Sequence, residues 1–366
     1  MGASERVGVS PLRRGLGRLR RNGVAMASAV ALGAMYLAAA AAGFVAPYHY
    51  DDERRDLSYH PPSAVRVVDA EGRWRRPFVY ATTMEFDAYR RRHVTEDRTR
   101  RYPIGFFVRG EPYRLFWLIP CDRHLFGVAA PARLYVAGAD SRGRDLFSRL
   151  VSGSQVSLSI GLVGVCVTFT LGMFVGGLAG FYGGWADELI MRLCEMIMMI
   201  PGFYLLLALR AAFPPELSSV EVYVLIVIMM SFIGWAGLAR VIRGMVLSLR
   251  EREYVVAARA AGRGSVGIVF SHLLPNTVSY AVVAATLSVP GYILGESALS
   301  LLGLGIQDPH ASWGNLLSEA MNVSQLAFHP WVLWPGVCIF ATVMAYNFLG
   351  DGLRDAFDPR LETARR

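Results

Sequence analysis

Val220-Glu-Val-Tyr-Val-Leu-Ile-Val-Ile-Met-Met-Ser-Phe-Ile-Gly-Trp-Ala-Gly-Leu-Ala239 carries one charge in twenty residues, and Arg240 follows at once. A helix of about 20 mainly apolar residues is what a bilayer's hydrocarbon core takes to cross, so this run predicts a membrane span. Five further runs meet or approach the same criterion, at 24–46, 154–181, 189–213, 276–302 and 331–349. The breaks between them have chemical causes. Pro214-Pro215 ends the third run because proline cannot continue a helix, and Tyr182-Gly183-Gly184 separates the second from the third.

The composition agrees with an all-α integral membrane protein. The 366 residues are 54% hydrophobic and 18% charged, where a soluble chain carries about a quarter charged. Every one of the 37 basic residues counted as Lys or Arg is arginine. The missing lysine excludes a Walker-type phosphate loop and any Schiff-base chemistry. The four cysteines (Cys121, Cys166, Cys194 and Cys338) are scattered, with neither zinc-ligand spacing nor the density of a disulfide framework.

Charge is concentrated in one place. Residues 47–149 hold 19 arginines and 14 acids, which is 33 of the chain's 66 charges. The remainder therefore reads as membrane, interrupted by one polar insert after the first span. The first span follows Arg13, Arg14, Arg18, Arg20 and Arg21, and its apolar run is longer than a signal-peptide core, so an uncleaved signal-anchor is expected. Arginine counting sets the orientation. Six arginines precede the first span, six lie between the fourth and fifth, four follow the sixth, and none lies in 303–330. Both termini are thus expected in the cytoplasm and the insert outside. Within the insert, 65–69 and 114–119 read as short strands, 85–93 as a helical turn or two, and 59–62 as loop. Its recurrent aromatics (Trp74, Phe78, Tyr80, Phe106, Phe107 and Trp117) point to an ordered subdomain.

Between the fourth and fifth spans lies Arg250-Glu-Arg-Glu-Tyr-Val-Val-Ala-Ala-Arg-Ala-Ala-Gly262, and further on His272-Leu-Leu-Pro-Asn276. The four alanines favour helix and leave a thin surface on which another protein can seat. Gly262 suits the helix end, and Pro275 the first turn of the next helix. On these grounds alone a docking element and a helix lying against lipid headgroups stand level. Gly172, Gly176 and Gly180 recur at the spacing that lets a second helix approach closely, and packing within the chain is the expected use.

These segments resemble binding-protein-dependent ABC importer permeases. The cytoplasmic segment is similar to the family's "EAA" loop: Ala257, Ala258, Gly262, Leu274 and Pro275 match, while Val256 stands where glutamate is usual. The resemblance extends to the C-type permeases of oligopeptide and dipeptide importers. It is carried by Gly138-Ala-Asp-Ser-Arg-Gly-Arg-Asp145 with Ser148-Arg149-Leu150, where Ala139 replaces a usual threonine. Ala179-Gly-Phe-Tyr-Gly-Gly184 with Asp187 and Met191-Arg192, Gly295-Glu-Ser-Ala-Leu-Ser-Leu-Leu-Gly-Leu-Gly305, Ser312-Trp-Gly-Asn315 and Gly350-Asp-Gly-Leu-Arg-Asp-Ala-Phe-Asp-Pro359 carry it further.

The resemblance implies six spans of the type I ABC importer permease fold. The expected division is a tail at 1–23, a first span at 24–46, an extracytoplasmic insert at 47–137, a permease core at 138–350 with a cytoplasmic coupling loop at 241–275, and a tail at 351–366. It implies a second, B-type permease subunit, two ATP-binding subunits that hold ATP and Mg, an extracytoplasmic solute-binding protein, and a peptide or similar solute. It implies no cofactor, catalytic residue or metal site in this chain, and no nucleic acid. Tyr254, Ala257, Ala258, Arg259, Gly262, Leu274 and Pro275 are the expected ATPase-coupling surface.

Charge inside a span is a functional hypothesis by default. Glu195 has Arg192 as a ready partner, Glu296 divides between a structural hydrogen bond and the solute pathway, and Pro201 should kink the third span. Met196, Met198 and Met199 read as lipid or core contacts before pathway lining. Competing readings are an ion-coupled secondary transporter, a membrane receptor and a membrane enzyme. No convincing internal repeat favours the first. No two of the seven histidines have metal-ligand spacing on one helix.

Overall fold

The computed structural model describes residues 15, 17–69, 71–86, 92–116, 118–214 and 216–357. Arg13, Arg14, Trp117, Pro215 and the end of the last motif, from Asp358, lie outside the described residues.

Helix α1 (Gly23–Ala40) starts at Asn22, whose side chain accepts the Ala25 N–H. A five-stranded insert follows, then α2 (Leu146–Tyr182), α3 (Gly184–Met199), α4 (Gly202–Ala211), α5 (Ser219–Leu249), α6 (Glu253–Ala260), α7 (Leu274–Leu301), α8 (Trp313–Leu317) and α9 (Trp334–Phe357). Five helical segments are long and apolar enough to cross a membrane, and α3 with α4 makes a sixth bent by 85°. Pro201 does more than kink this span: it separates two helices. The pair still crosses once. Asp187 near the start of α3 meets Arg243 at 2.6 Å, and Arg210 near the end of α4 donates to the Leu304 carbonyl at the opposite end of the bundle.

The apolar runs understate two helices. α2 begins eight residues before residue 154, and α5 continues ten residues past 239. Charged residues at these ends are folded into partners and do not stop the helix. Asp145 caps α2 by accepting from the Ser148 N–H at 2.8 Å. The α5 start is a capping box in which Ser218 and Glu221 satisfy each other's backbone N–H groups.

The glycine row closes α2 onto α5. A Cβ at Gly172 would stand 2.8 Å from Leu238, one at Gly180 would stand 2.7 Å from the Arg243 carbonyl, and one at Gly176 would collide with Ala239. Only glycine admits this approach. α2 also packs on α7, where Gly161 lies against Val289 and Ile293. At one end of the bundle, Leu19 and Ala25 pack with Leu353 and Ala356, so the described ends of the chain lie together.

At the other end, the Gly138–Asp145 motif forms a buried ion cluster. Arg144 reaches Asp140 at 2.7 Å and Asp308 at 3.2 Å, and Arg149 reaches Asp308 at 2.8 Å. Arg144 and Arg149 are fully buried. Asp308 is partly desolvated, which opposes ionisation, yet Arg149 and Arg144 hold its carboxyl below the ordinary range.

The insert is a β structure. β1 (Arg66–Val68), β2 (Trp74–Phe86) and β3 (Arg92–Pro103) form an antiparallel sheet in that order, and β4 (Gly105–Leu115) with β5 (Ile119–Gly127) forms a hairpin. The strand expected at 65–69 is present as β1. The single strand expected at 114–119 is not formed: Arg114 and Leu115 end β4, Ile119 begins β5, and Phe116 and Leu118 lie in the connection between them. The helical turn expected at 85–93 fails as well: Glu85 lies in β2 and pairs with His93 in β3, and 87–91 lie outside the described residues. Alternating polar residues such as Thr83 and Thr95, joined across the strands, carry the pairing. Asp69 anchors the sheet. Desolvation opposes its charge, but the Arg73 N–H and the Arg75 guanidinium bring its pKa down to about 2. Loop at 59–62 is as expected.

Two predictions follow from the ion cluster. Arg144→Ala takes the nearest guanidinium from the buried Asp140, while Asp308 keeps Arg149 and Arg142, and is expected to cost about 3 kcal/mol, read as a lower midpoint of thermal unfolding in detergent; Arg144→Lys, with one compact ammonium for two acids, recovers little of it. Asp145 is fully buried, which raises its pKa from 3.8 to about 6 against the pull of Ser148. A raised carboxyl contributes stability below its unfolded pKa, and that contribution is lost as pH rises through about 6. Asp145→Asn keeps the cap and is expected to flatten the unfolding midpoint between pH 4 and 6, where the parent's midpoint falls.

Candidate functional site

α6 is eight residues long, too short to persist alone in water, and its position comes from packing. Val255 is wholly buried in a cluster with Phe181 of α2, Ile242 and Val246 of α5, and Ile268, Val269, Leu273 and Leu274 at the head of α7. Ala258 packs partly against the same cluster. Arg259 lays its guanidinium 5.3 Å from the Phe181 ring centroid. One face of α6 is thereby fastened to three spans, at the same end of the bundle as the chain's described ends.

The opposite face is open. Tyr254 and Val256 are 42% and 53% exposed, and Ala257, Arg259 and Gly262 are exposed beside them. The helix ends in a Schellman motif: the Arg263 N–H bonds to the Ala258 carbonyl and the Gly262 N–H to the Arg259 carbonyl. This requires φ +77° at Gly262, where no atom would meet an added Cβ. The glycine is needed for its backbone and not for room.

Two members of the expected surface are placed differently from the rest. Leu274 is buried and makes the floor of the cluster, with its Cδ2 3.0 Å from a Cβ built on Gly177. Pro275 is exposed and lies in the first turn of α7. The connection into α7 is itself helical: a turn at Ser265–Ile268 passes through a π turn at Val269–Leu273 directly into α7. His272, with its carbonyl accepting from Asn276 at 2.6 Å, sits in that π turn.

The three expected pathway residues are not brought together. Glu195 is half-exposed and pairs with Arg192 at 3.0 Å and Arg240 at 3.5 Å. It borders a polar cleft of about 460 Å³ beside the Asp187–Arg243 pair. Pro201 stands at the break between α3 and α4. Glu296 is fully buried, and Ser300 donates to it at 2.7 Å, Ser157 at 3.1 Å and Ser297 at 3.4 Å. Sequence reasoning overlooked a second intramembrane feature. Thr168, Gly234, Gly237, Tyr280, Ser288 and Tyr292 line a cleft of about 190 Å³ between α2, α5 and α7. Four hydroxyls divided between two separate apolar runs give no local signal. Among the described residues, no three His, Cys, Asp or Glu side chains are grouped to hold a metal ion.

Comparison with known proteins decides the family. Residues 171–363 match the model of the binding-protein-dependent transport system inner membrane component, just over half of the chain. The chain belongs to that family. Residues 10–62 match the N-terminal membrane domain of oligopeptide transport permease C. Similar relatives include the glutathione transport system permease of Pectobacterium atrosepticum, 40% identical over 64% of this chain and 75% of that protein. The oligopeptide transport system permease of Haemophilus influenzae is 40% identical over 61% and 70%, and the dipeptide transport system permease of Bacillus subtilis 39% identical over 61% and 68%. This permease therefore has the type I membrane fold that its motifs suggested. The two family models leave 63–170 unmatched, and β1–β5 all lie there.

The Gly262 geometry makes a graded prediction for this permease. Gly262→Ala is expected to cost about 1–2 kcal/mol locally, and Gly262→Asn less, because asparagine enters the left-handed region more readily. Gly262→Val, β-branched at positive φ, should loosen the α6 end most. Limited proteolysis of membranes checks the order: cleavage near Arg259 and Arg263 rises from Asn through Ala to Val while the amount of protein in the membrane is unchanged.

Proposed function

We propose that this chain is one of two transmembrane subunits of an ATP-driven importer for peptides, and that the exposed face of α6 is where a separate ATPase subunit seats. The observation that carries the reading is the construction of α6. It is a short helix of small residues with a fixed end, fastened by Val255 to α2, α5 and α7, with an opposite face that no described residue of the chain covers. ATP can shift such a protein between two states only through contacts that differ between them, and α6 offers the surface for those contacts.

The relatives' names supply the solute class, since they are permeases of glutathione, oligopeptide and dipeptide systems. The arginine distribution supports placing α6 and both ends of the chain in the cytoplasm, with the insert and the Arg144–Asp308 cluster on the outer side, where a binding protein would deliver its solute. ATP and Mg then belong to the two ATP-binding subunits, and a different, B-type permease completes the pathway.

Affinity purification of the full chain in mild detergent from its native membrane is the test. The expected outcome is recovery of two ATPase subunits and a second permease, with ATP turnover and uptake of a labelled peptide after reconstitution. Gly262→Val should leave the subunits in the membrane, yet weaken ATPase recovery and uptake. A chain that purifies alone, without ATPase, contradicts the proposal.

A further inference from the structure

We propose that the β4–β5 hairpin is a finger that dips into the headgroup layer of the membrane, so that its apolar tip contacts phospholipid. The hairpin's direction along the spans points to this placement. Its base pairs Gly105 with Gly127 and its tip pairs Leu115 with Ile119. Near the base, Phe126 meets Phe147 in the first turn of α2, with ring centroids 5.8 Å apart. Midway, His124 Nδ1 lies 2.6 Å from the Ala46 carbonyl just beyond α1. Closer to the tip, Tyr113 packs on Gly43, and Arg114 borders a cavity shared with Ser152 and Gln155 of α2. Gln155 in turn donates to the Ala39 carbonyl of α1.

The hairpin thus lies beside α2 from Phe147, which Phe126 meets, to the cavity that Tyr113 and Arg114 share with Ser152 and Gln155, eight residues or about 12 Å further along the helix axis. On the other side, Phe107, His124 and Tyr113 meet Phe44, Ala46 and Gly43, in and beside the short helical turn Ala42–Val45 that follows α1. The hairpin runs alongside the spans toward the membrane's interior, and at Gln155 it has reached the level where the apolar run of α2 begins. The tip lies beyond that point. There, Phe116, Leu118 and Ile119 are 43%, 82% and 58% exposed. In water, contiguous apolar surface of this kind is unfavourable; at this depth it continues the lipid-facing surface of α1, where Leu37 is 64% exposed.

The depth is bounded by two constraints. The open edges of a two-stranded hairpin exclude the hydrocarbon centre, where unpaired backbone groups find no partner. Exposed Arg109, Arg114 and Arg123 set the headgroup level, since arginine stems lie along apolar surface while their guanidinium groups meet phosphate. The finger lies wholly within 63–170, outside both family matches, and it depends neither on the solute nor on which side of the membrane the insert occupies.

The test is photo-crosslinking from benzoylphenylalanine placed at Leu118 in the full chain. The complex, with its co-purifying subunits, is reconstituted in vesicles of phosphatidylethanolamine and phosphatidylglycerol. The same probe at Leu37 is the reference for lipid contact, and both positions are exposed, so neither substitution disturbs packing. A phospholipid adduct at position 118, in a yield comparable to that at 37, is the expected result. An adduct to another subunit instead, or no adduct at 118 while 37 gives one, overturns the proposal. Loss of importer subunits from the purification leaves the lipid adduct unaffected, which separates this test from that of the transport function.

Discussion

The closeness of α2 to α5 governs the rest of the molecule. In lipid, apolar surface gains nothing by leaving an equally apolar solvent, so helices associate through van der Waals contact and hydrogen bonds. Both need short distances. The Gly172–Gly176–Gly180 row supplies them by removing the side chains of α2 that would face the Leu238–Val246 stretch of α5. Once the two axes are this near, α7 can lie across α2 at Gly161 and carry Glu296 into a ring of serines. α6 then finds a cluster made by the ends of all three spans.

Polar chemistry is confined to the ends and to enclosed pockets. The Arg144–Asp308 and Arg149–Asp308 pairs tie the start of α2 to the loop after α7, so the second and fifth crossings are joined where the chain is most charged. Buried pairs of this kind add little net stability over apolar packing, while the loss of one partner is costly. Their contribution is to fix which loop meets which helix. Arg210 performs a similar task for the broken third span, donating to the Leu304 carbonyl and, more loosely, to those of Phe213 and Pro214.

The six spans were legible because a bilayer sets the length of an apolar run and proline and glycine end it. What the sequence hid was set by tertiary pairing. The true start of α2 carries Ser148 and Arg149, which look like loop until Asp145 and Asp308 are beside them. The insert hid most of its strands because its charges alternate with apolar residues across several registers, and the reading of 114–119 as one strand ran across the end of β4 and the start of β5. Within the candidate site, the alanines and the helix-ending role of Gly262 were readable from local rules of helix ends and small-residue surfaces, while Tyr254 came only from the resemblance. Leu274 was not, since its burial depends on Gly177, nearly a hundred positions earlier. The hydroxyls of Thr168, Tyr280, Ser288 and Tyr292 escaped for the same reason.

The seating of Val255 has a mechanical corollary. Its side chain is enclosed by residues from three crossings, and interiors packed at this density transmit displacement with little compression. A load applied to α6 has no single crossing to act on, because α2, α5 and the head of α7 share the socket. Displacement of α6 is therefore shared by all three, while α3 and α4, separated at Pro201, contribute no residue to the socket and are linked to it through contacts such as the hold of α3 on α5 at Asp187–Arg243.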